Sequence, residues 1–374
     1  MEASPLLGRR LAPVAAGWYF MAGIFTTSLI GGLSTAIYSM EHFHRLSGYG
    51  LAANLAVMPI ISFVVMPAGL VGMLLMPVGL DAPFLVLMGA GLEAVIAVAK
   101  EVAGWGGDFG VGRQHSWFLS LATAGFLLLA LLRTRLRLVG LPLLGLAFML
   151  SWQAGRKPLP DILVSEDGAL VALLGSSVST NRPRPPAFVF DQWQRALLLA
   201  DPARPLMLPA QDMPDAIPAT MKGDRRLDAG QLALVRHAMQ EAFRAASEDP
   251  GRFVCRSKAW CVAVMNEGVA IAAVEDGRLA GIACDMAGFV IAPRVPFDEC
   301  RSGALLVNGA MLRKAGALEI YVNGKRDIED WRVVPAMAMT DRPWSRHRSF
   351  DWRTGEFDQS LPESFARMIS DSGG

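Results

Sequence analysis

The sequence predicts a polytopic α-helical membrane domain followed by a small α/β domain, on three observations. Only 14 of the 69 Lys, Arg, Asp and Glu residues precede residue 155, and the other 55 fall in the remaining 220 positions. The charge-poor part breaks into five apolar runs, each long enough or nearly so to cross a bilayer. The charge-rich part reads as short apolar runs separated by Gly-containing turns, with a few amphipathic helices. The expected organisation is a membrane domain over residues 1–154, an α/β domain over 155–340, and a basic and aromatic tail over 341–374.

Charge limits the function classes. The first 154 residues hold 8 basic and 6 acidic groups, and the rest hold 27 and 28. Neither part generates the broad positive field that drives non-specific nucleic-acid binding, so any such contact must come from local clusters.

The apolar runs cover about 17–39, 50–76, 84–104, 117–133 and 136–153. Arg133, Arg135 and Arg137 sit in the tight connection between the last two, which the basic-loop rule places in the cytoplasm. Counting back four crossings puts Arg9 and Arg10 on the same side, and the two basic clusters agree. The fifth crossing then delivers the polar domain outside the cytoplasm. A cleaved signal peptide is the alternative reading of the N-terminus. The second run is 27 residues long and contains Pro59 and Pro67. It is either one kinked crossing or two half-helices that fold back. Folding back would put the two basic clusters on opposite sides, which favours the single crossing. Glu93 lies near the middle of the third run, with Lys100 and Glu101 toward its end. Ionisable groups at that depth line a hydrated path or meet a partner. The alternative is a helix lying in the interface, with Glu93 reaching water.

Residues 43–70 read FHRLSGYGLAANLAVMPIISFVVMPAGL. A polar, turn-prone connection enters a helix in which a lone amide, Asn54, precedes Pro59 by five residues. Proline frees backbone carbonyls that water or a polar side chain must satisfy. Asn54 either does this or lines a path at the broken helix. The stretch resembles the ComEC family of bacterial DNA-uptake channels, the inner-membrane proteins of natural competence. Phe43, Arg45, Ser47, Gly50, Leu51, Asn54 and Pro59 carry the resemblance, and Pro67 and Gly69 extend it. Gly48 and Ile37 stand where the family pattern leads one to expect prolines. Met1 falls inside the region corresponding to the family's membrane domain, so the chain is expected to be an N-terminally truncated, C-terminal piece of that architecture.

The resemblance implies a channel that passes single-stranded DNA into the cytoplasm. His44, Arg45, Asn54, Pro59 and Glu93 are the candidate path residues on that reading. It implies other competence proteins, or the missing N-terminal half, as partners. A lipid bilayer is required and a homo-oligomer is possible. A bacterial inner-membrane location with a periplasmic C-terminal domain follows. A non-conducting remnant or membrane-anchored scaffold of the same family is the alternative, ahead of a membrane-anchored hydrolase.

In the polar part, Asp161–Val164 and Ala169–Leu174 flank Ser165-Glu166-Asp167-Gly168, a hairpin pattern. Asp191-Gln192-Trp193-Gln194 reads as a helix start. Residues 228–248 form the best helix, with Asp228 as cap and Leu232, Val235, Met239, Phe243 and Ala246 as its apolar stripe. Strands follow at about 252–256, 259–265, 269–274, 288–292 and 304–307. Asn308 could cap a helix ending near Gly316, and further strands lie near 317–322 and 331–336.

The mix agrees with the metallo-β-lactamase-like domain that the resemblance implies. That chemistry needs clustered His and Asp ligands to hold metal ions and activate water. His237 and His347 are the polar part's two histidines, and they are not at ligand spacing. The domain is therefore expected to be degenerate, without metal, cofactor or enzymatic activity. Cys255, Cys261, Cys284 and Cys300 allow three pairings. Cys255 and Cys261 lie on consecutive predicted strands, which favours that pair plus Cys284–Cys300. Arg342, Trp344, Arg346 and Arg348 interleave cations with aromatics, as single-strand binders do. The alternative is a tail anchored on its own domain or on anionic lipid.

Overall fold

The computed structural model describes residues 5–209, 227–322, 324, 327–337, 343–351 and 354–369. Two compact units emerge, Met1–Lys157 with Gln192–Leu198, and Pro158–Asp191 with Leu199–Gly374.

The first unit contains helices α1 (Pro5–Phe43), α2 (Gly50–Ile60), α3 (Met66–Leu75), α4 (Ala82–Gly104), α5 (Phe118–Leu131) and α6 (Gly140–Ala154), with two short strands, β1 (Arg45–Ser47) and β2 (Asp108–Gly110). All five apolar runs are helical. Among the described residues, three helical stretches are long and apolar enough to cross a bilayer: Gly50–Val78, Ala82–Gly104 and Arg135–Ala154. Helix α5 has 14 residues, about 21 Å at 1.5 Å per residue, short of a core of about 30 Å.

The proline-containing run does not fold back. Between α2 and α3 the chain makes a π-helical turn over Ile61–Val65, and the residues joining the three pieces keep right-handed helical torsions. Pro59 and Pro67 flank this turn. Each lacks the N–H that would bond the carbonyl four residues earlier, and the wider turn absorbs the interruption.

Strand pairing fixes which loops share an end. β1 runs antiparallel to β2, with Leu46 opposite Phe109. The His115 amide donates to Ser151 Oγ at 3.3 Å. The connections 44–49 and 105–117 and the C-terminal end of α6 therefore lie together, and the arginine-rich connection after α5 lies at the other end. The two helical stretches between β1 and β2 thus return the chain to its starting end.

Small residues set the helix contacts. A Cβ on Gly125 of α5 would sit 2.8 Å from the Gly140 carbonyl oxygen, and one on Gly140 would press on the Gly125 carbonyl and on Leu129. Ala122 and Ala147 are fully buried beside them with Phe118. Close backbone approach of this kind substitutes for hydrophobic driving force where lipid surrounds the helices. Gly140→Leu is accordingly expected to cost about 1–3 kcal/mol through overpacking that no side-chain rotation relieves. The check is a lowered thermal transition in detergent, with faster proteolysis of the connection between α5 and α6.

The second unit contains β3 (Ile162–Val164), β4 (Val171–Leu174), β5 (Val178–Thr180), α7 (Ala187–Leu197, ending in the first unit), β6 (Leu206–Met207), α8 (Ala229–Glu248), β7 (Val254–Arg256), β8 (Trp260–Val264), β9 (Ala270–Val274), α9 (Ala280–Met286), β10 (Phe289–Ala292), β11 (Leu305–Asn308), α10 (Gly309–Ala315), β12 (Leu318–Tyr321), β13 (Arg332–Pro335), β14 (Phe350–Asp351), β15 (Glu356–Phe357) and α11 (Glu363–Ala366). One sheet has the order β11-β10-β9-β8-β7-β6 and the other β13-β12-β3-β4-β5. Alternation explains the packing. On β8 to β11, Cys261, Ala263, Ile271, Ala273, Phe289, Ile291, Leu305 and Val307 face the core shared with the second sheet. Their neighbours Trp260, Val262, Ala272, Val274, Val290 and Leu306 face α8 and α9. Both faces are covered, so these strands read as continuous apolar runs.

Helix α8 begins at a capping box, Asp228 accepting from the Gln231 amide while the Gln231 side chain accepts from the Asp228 amide. Its inner stripe is Val235, Met239, Ala242 and Ala246; Leu232 is 37% exposed and Phe243 only partly buried. Helix α7 starts at Ala187, so Asp191 lies within it and is not its cap. Pro185 and Pro186 set that earlier start, the Pro186 carbonyl accepting from Val189 and Phe190. Asn308 caps α10 by accepting from the Met311 amide at 2.9 Å. Disulfides join Cys255 to Cys261 and Cys284 to Cys300, the pairing favoured above.

The C-terminal segment differs from a tail. Phe365 is fully buried and Met368 nearly so, both in the core between the sheets. The Val333 amide donates to the Met368 carbonyl at 2.8 Å, and Lys314 of α10 pairs with Asp358 at 2.9 Å. The basic and aromatic character of 341–374 concealed an apolar i, i+3 pair that the domain needs.

Candidate functional site

The residues of the F-x-R-x-S stretch build a small cap on the helices of the first unit. After α1 ends, His44 turns the chain at φ +51°, a left-handed torsion uncommon outside glycine. That turn sends Arg45–Ser47 into β1 alongside β2. Ser39 Oγ donates to the Arg45 carbonyl at 2.9 Å, and the Val111 amide donates to the His44 carbonyl at 3.0 Å. The Gly48 amide donates to the Gly107 carbonyl at 2.7 Å, and a Cβ on Gly48 would lie 2.8 Å from the Phe109 ring. A proline at position 48 would lack that donor. Tyr49 and Trp105 meet edge to face at 5.8 Å, completing the cap.

Charge is concentrated there. Arg45 Nε lies 2.9 Å from Asp108 Oδ1, with both side chains more than a third exposed. Within the same unit, Arg195 approaches the other oxygen of Asp108 at 3.6 Å. His44 Nδ1 and Glu41 Oε2 are buried without a hydrogen-bond partner. Burial, then the nearby Arg113 guanidinium, hold the His44 imidazole below its ordinary range. Burial pushes the Glu41 carboxyl up, against the pull of His42.

A histidine with a depressed pKa binds fewer protons folded than unfolded, so its contribution to stability is present above the ordinary value of about 6.5 and declines as pH falls below it. Glu41 acts oppositely, and its window begins near the ordinary carboxyl value. Protection of the β1 and β2 amides from hydrogen exchange, corrected for intrinsic rates, should therefore weaken as pH falls through 6.5. His44→Gln should flatten that slope; an unchanged slope would assign it to another group.

The remaining path candidates are not gathered into this cap. Asn54 and Glu93 are exposed and make no hydrogen bond or ion pair among the described residues. Asn54 does not serve the carbonyls opened by Pro59. Pro59 itself is half-buried immediately before the π-helical turn. Asp108 was not recognisable in the sequence as the partner of Arg45, because only the pairing of β1 with β2 brings the two together.

In the second unit, Arg342 lies outside the described residues. Arg348 is engaged by the Glu166 carboxylate and donates to the Arg313 carbonyl, while Arg313 donates to the His347 carbonyl at 2.9 Å. These bonds anchor the segment on its own domain. Trp344 and Arg346 remain exposed. Ser165-Glu166-Asp167-Gly168 forms a closed turn, Ser165 Oγ donating to Asp167 Oδ1 at 2.5 Å. Among the described residues no group of three or more His, Cys, Asp or Glu is placed to hold a metal ion.

Residues 4–136 match one family model, described as Competence protein. No curated protein and no solved structure matches the chain.

Proposed function

We propose, from the match of residues 4–136 to the family described as Competence protein, that the chain is an inner-membrane component of DNA uptake that helps pass a single DNA strand into the cytoplasm. The observation carrying this reading is that the family match covers helices α1 to α5 and includes the β1–β2 pair. Translocation requires no covalent step. Arg45 and His44 stand at the mouth; Asn54, the π-helical turn after Pro59, and Glu93 supply polar groups deeper along the helices.

Two disulfides support a periplasmic location for the second unit, because such bonds persist in oxidising compartments. The five crossings of the topology follow if α5 and α6 together reach the far side and return. Two packed sheets with helices over one of them support reading the second unit as a β-lactamase-like domain, and the lack of a ligand cluster on the sequence supports a non-catalytic form. Exposed Trp344 and Arg346 offer a modest contact for single-stranded DNA.

A membrane-anchored scaffold is the second reading, favoured by the outward placement of Asn54 and Glu93. Deleting the gene in a naturally transformable host separates the two. Uptake of labelled DNA should be lost and should return with the wild-type gene. It should return only in part with Arg45→Ala, whose exposed ion pair contributes at most about 1 kcal/mol to stability. Unchanged uptake on deletion would leave the scaffold reading.

A further inference from the structure

Glu93 is the twelfth of the 23 residues of α4, so it stands at the centre of a helix that is otherwise apolar over most of its length. The helix has two faces with different fates. Toward its own unit, Gly91 packs against Val64 and Val65, while Leu85 and Met88 cover Gly72 and Gly69. The other face carries Val86, Ala90, Glu93, Ala97, Lys100 and Gly104, every one of them exposed. Their spacing alternates four and three. That is the 3.5-residue period of a seam that packs along a second helix, and Ala90 and Ala97 leave room for a close approach beside the carboxylate.

Charge decides what packs there. Copies of this chain inserted in one orientation would meet through parallel helices, setting Glu93 against Glu93 and Lys100 against Lys100. A self-pairing seam would therefore oppose like charges at both layers. A helix with a cation at mid-depth matches Glu93, and an acidic group about 10 Å nearer the capped end would match Lys100. We propose that this face of α4 docks a transmembrane helix of a partner protein that carries Lys or Arg at mid-depth, with Glu93 as its counter-ion. The inference rests on the reading that Ala82–Gly104 crosses the membrane, and it deepens that reading: a path bordered by Glu93 receives its other wall from another polypeptide.

The test uses the full chain in lipid vesicles with a synthetic 23-residue Leu/Ala peptide bearing one Lys at its midpoint, against the same peptide with Leu there. Energy transfer from labelled protein to labelled peptide should show the Lys peptide binding roughly tenfold more tightly. Glu93→Gln should erase the difference, and Glu101→Gln should keep it. Equal binding of the two peptides to the wild-type chain overturns the proposal, as does Glu93-dependent transfer between two labelled pools of the chain itself. A fluorophore on a Glu93→Cys variant, quenched by nitroxides at defined lipid depths, separates the two levels. Mid-depth quenching with no peptide discrimination defeats the partner alone, whereas shallow quenching defeats the crossing beneath it.

Discussion

Phe365→Ala is expected to cost the second unit about 3–5 kcal/mol, the range for removing a buried aromatic ring. The ring is fully buried between the two sheets, near Met368 and the strands of both. Its helix is only four residues long and is held by the bond from the Val333 amide to the Met368 carbonyl. Without the ring little remains to keep α11 in place, and the edge of β13 loses its cover. Denaturant unfolding of the full chain, followed by tryptophan fluorescence, should show an early transition. Trp331, which stacks edge to face on Phe289 at 5.7 Å in the same core, is the natural reporter. A transition within about 0.5 kcal/mol of wild type, the range for surface changes, would return residues 354–369 to the status of a tail.

The disulfides give the second large effect, and their order is set by loop length. Cys284 and Cys300 are 16 residues apart and Cys255 and Cys261 are 6 apart. Loop-closure entropy assigns about 3 kcal/mol to the first and about 2 kcal/mol to the second. Paired Cys→Ser replacements should destabilise in that order, read as lowered denaturant midpoints with a slope that rises as the unfolded chain loses its crosslink. The second bond lies directly across β7 and β8, where hydrogen bonding already closes the turn, which lowers its share further. Alkylation of unreduced protein taken from cells should find no free thiol among the four. Four reactive thiols would remove the support for a periplasmic second unit.

Much of the second unit was legible because its pattern is local. The runs at 259–265, 269–274 and 288–292 alternate between two buried faces, and Asp228 and Asn308 are capping residues in the expected places. What was not legible depended on distant partners. Arg45 and Asp108 meet only through the pairing of β1 with β2. The early start of α7 came from the Pro185-Pro186 pair, which outweighed the more conspicuous Asp191. The C-terminal segment advertised its bases and aromatics, while the burial of Phe365 and Met368 depends on a gap between sheets that no neighbouring residue reveals. In the first unit, the length of the apolar runs located the helices but could not show that Pro59 and Pro67 are accommodated by one widened turn.

That widened turn and the β1–β2 pairing act on the same two rods. At one end, three residue pairs staple the entrance of α2 to the exit of α4. At the other, a short 3₁₀ turn over Met76–Val78 and a left-handed Gly79 link α3 to α4. With both tips pinned, and Gly91 of α4 packed on Val64 and Val65 of the widened turn between them, the pair cannot splay like scissors. A displacement of either rod therefore carries the other with it.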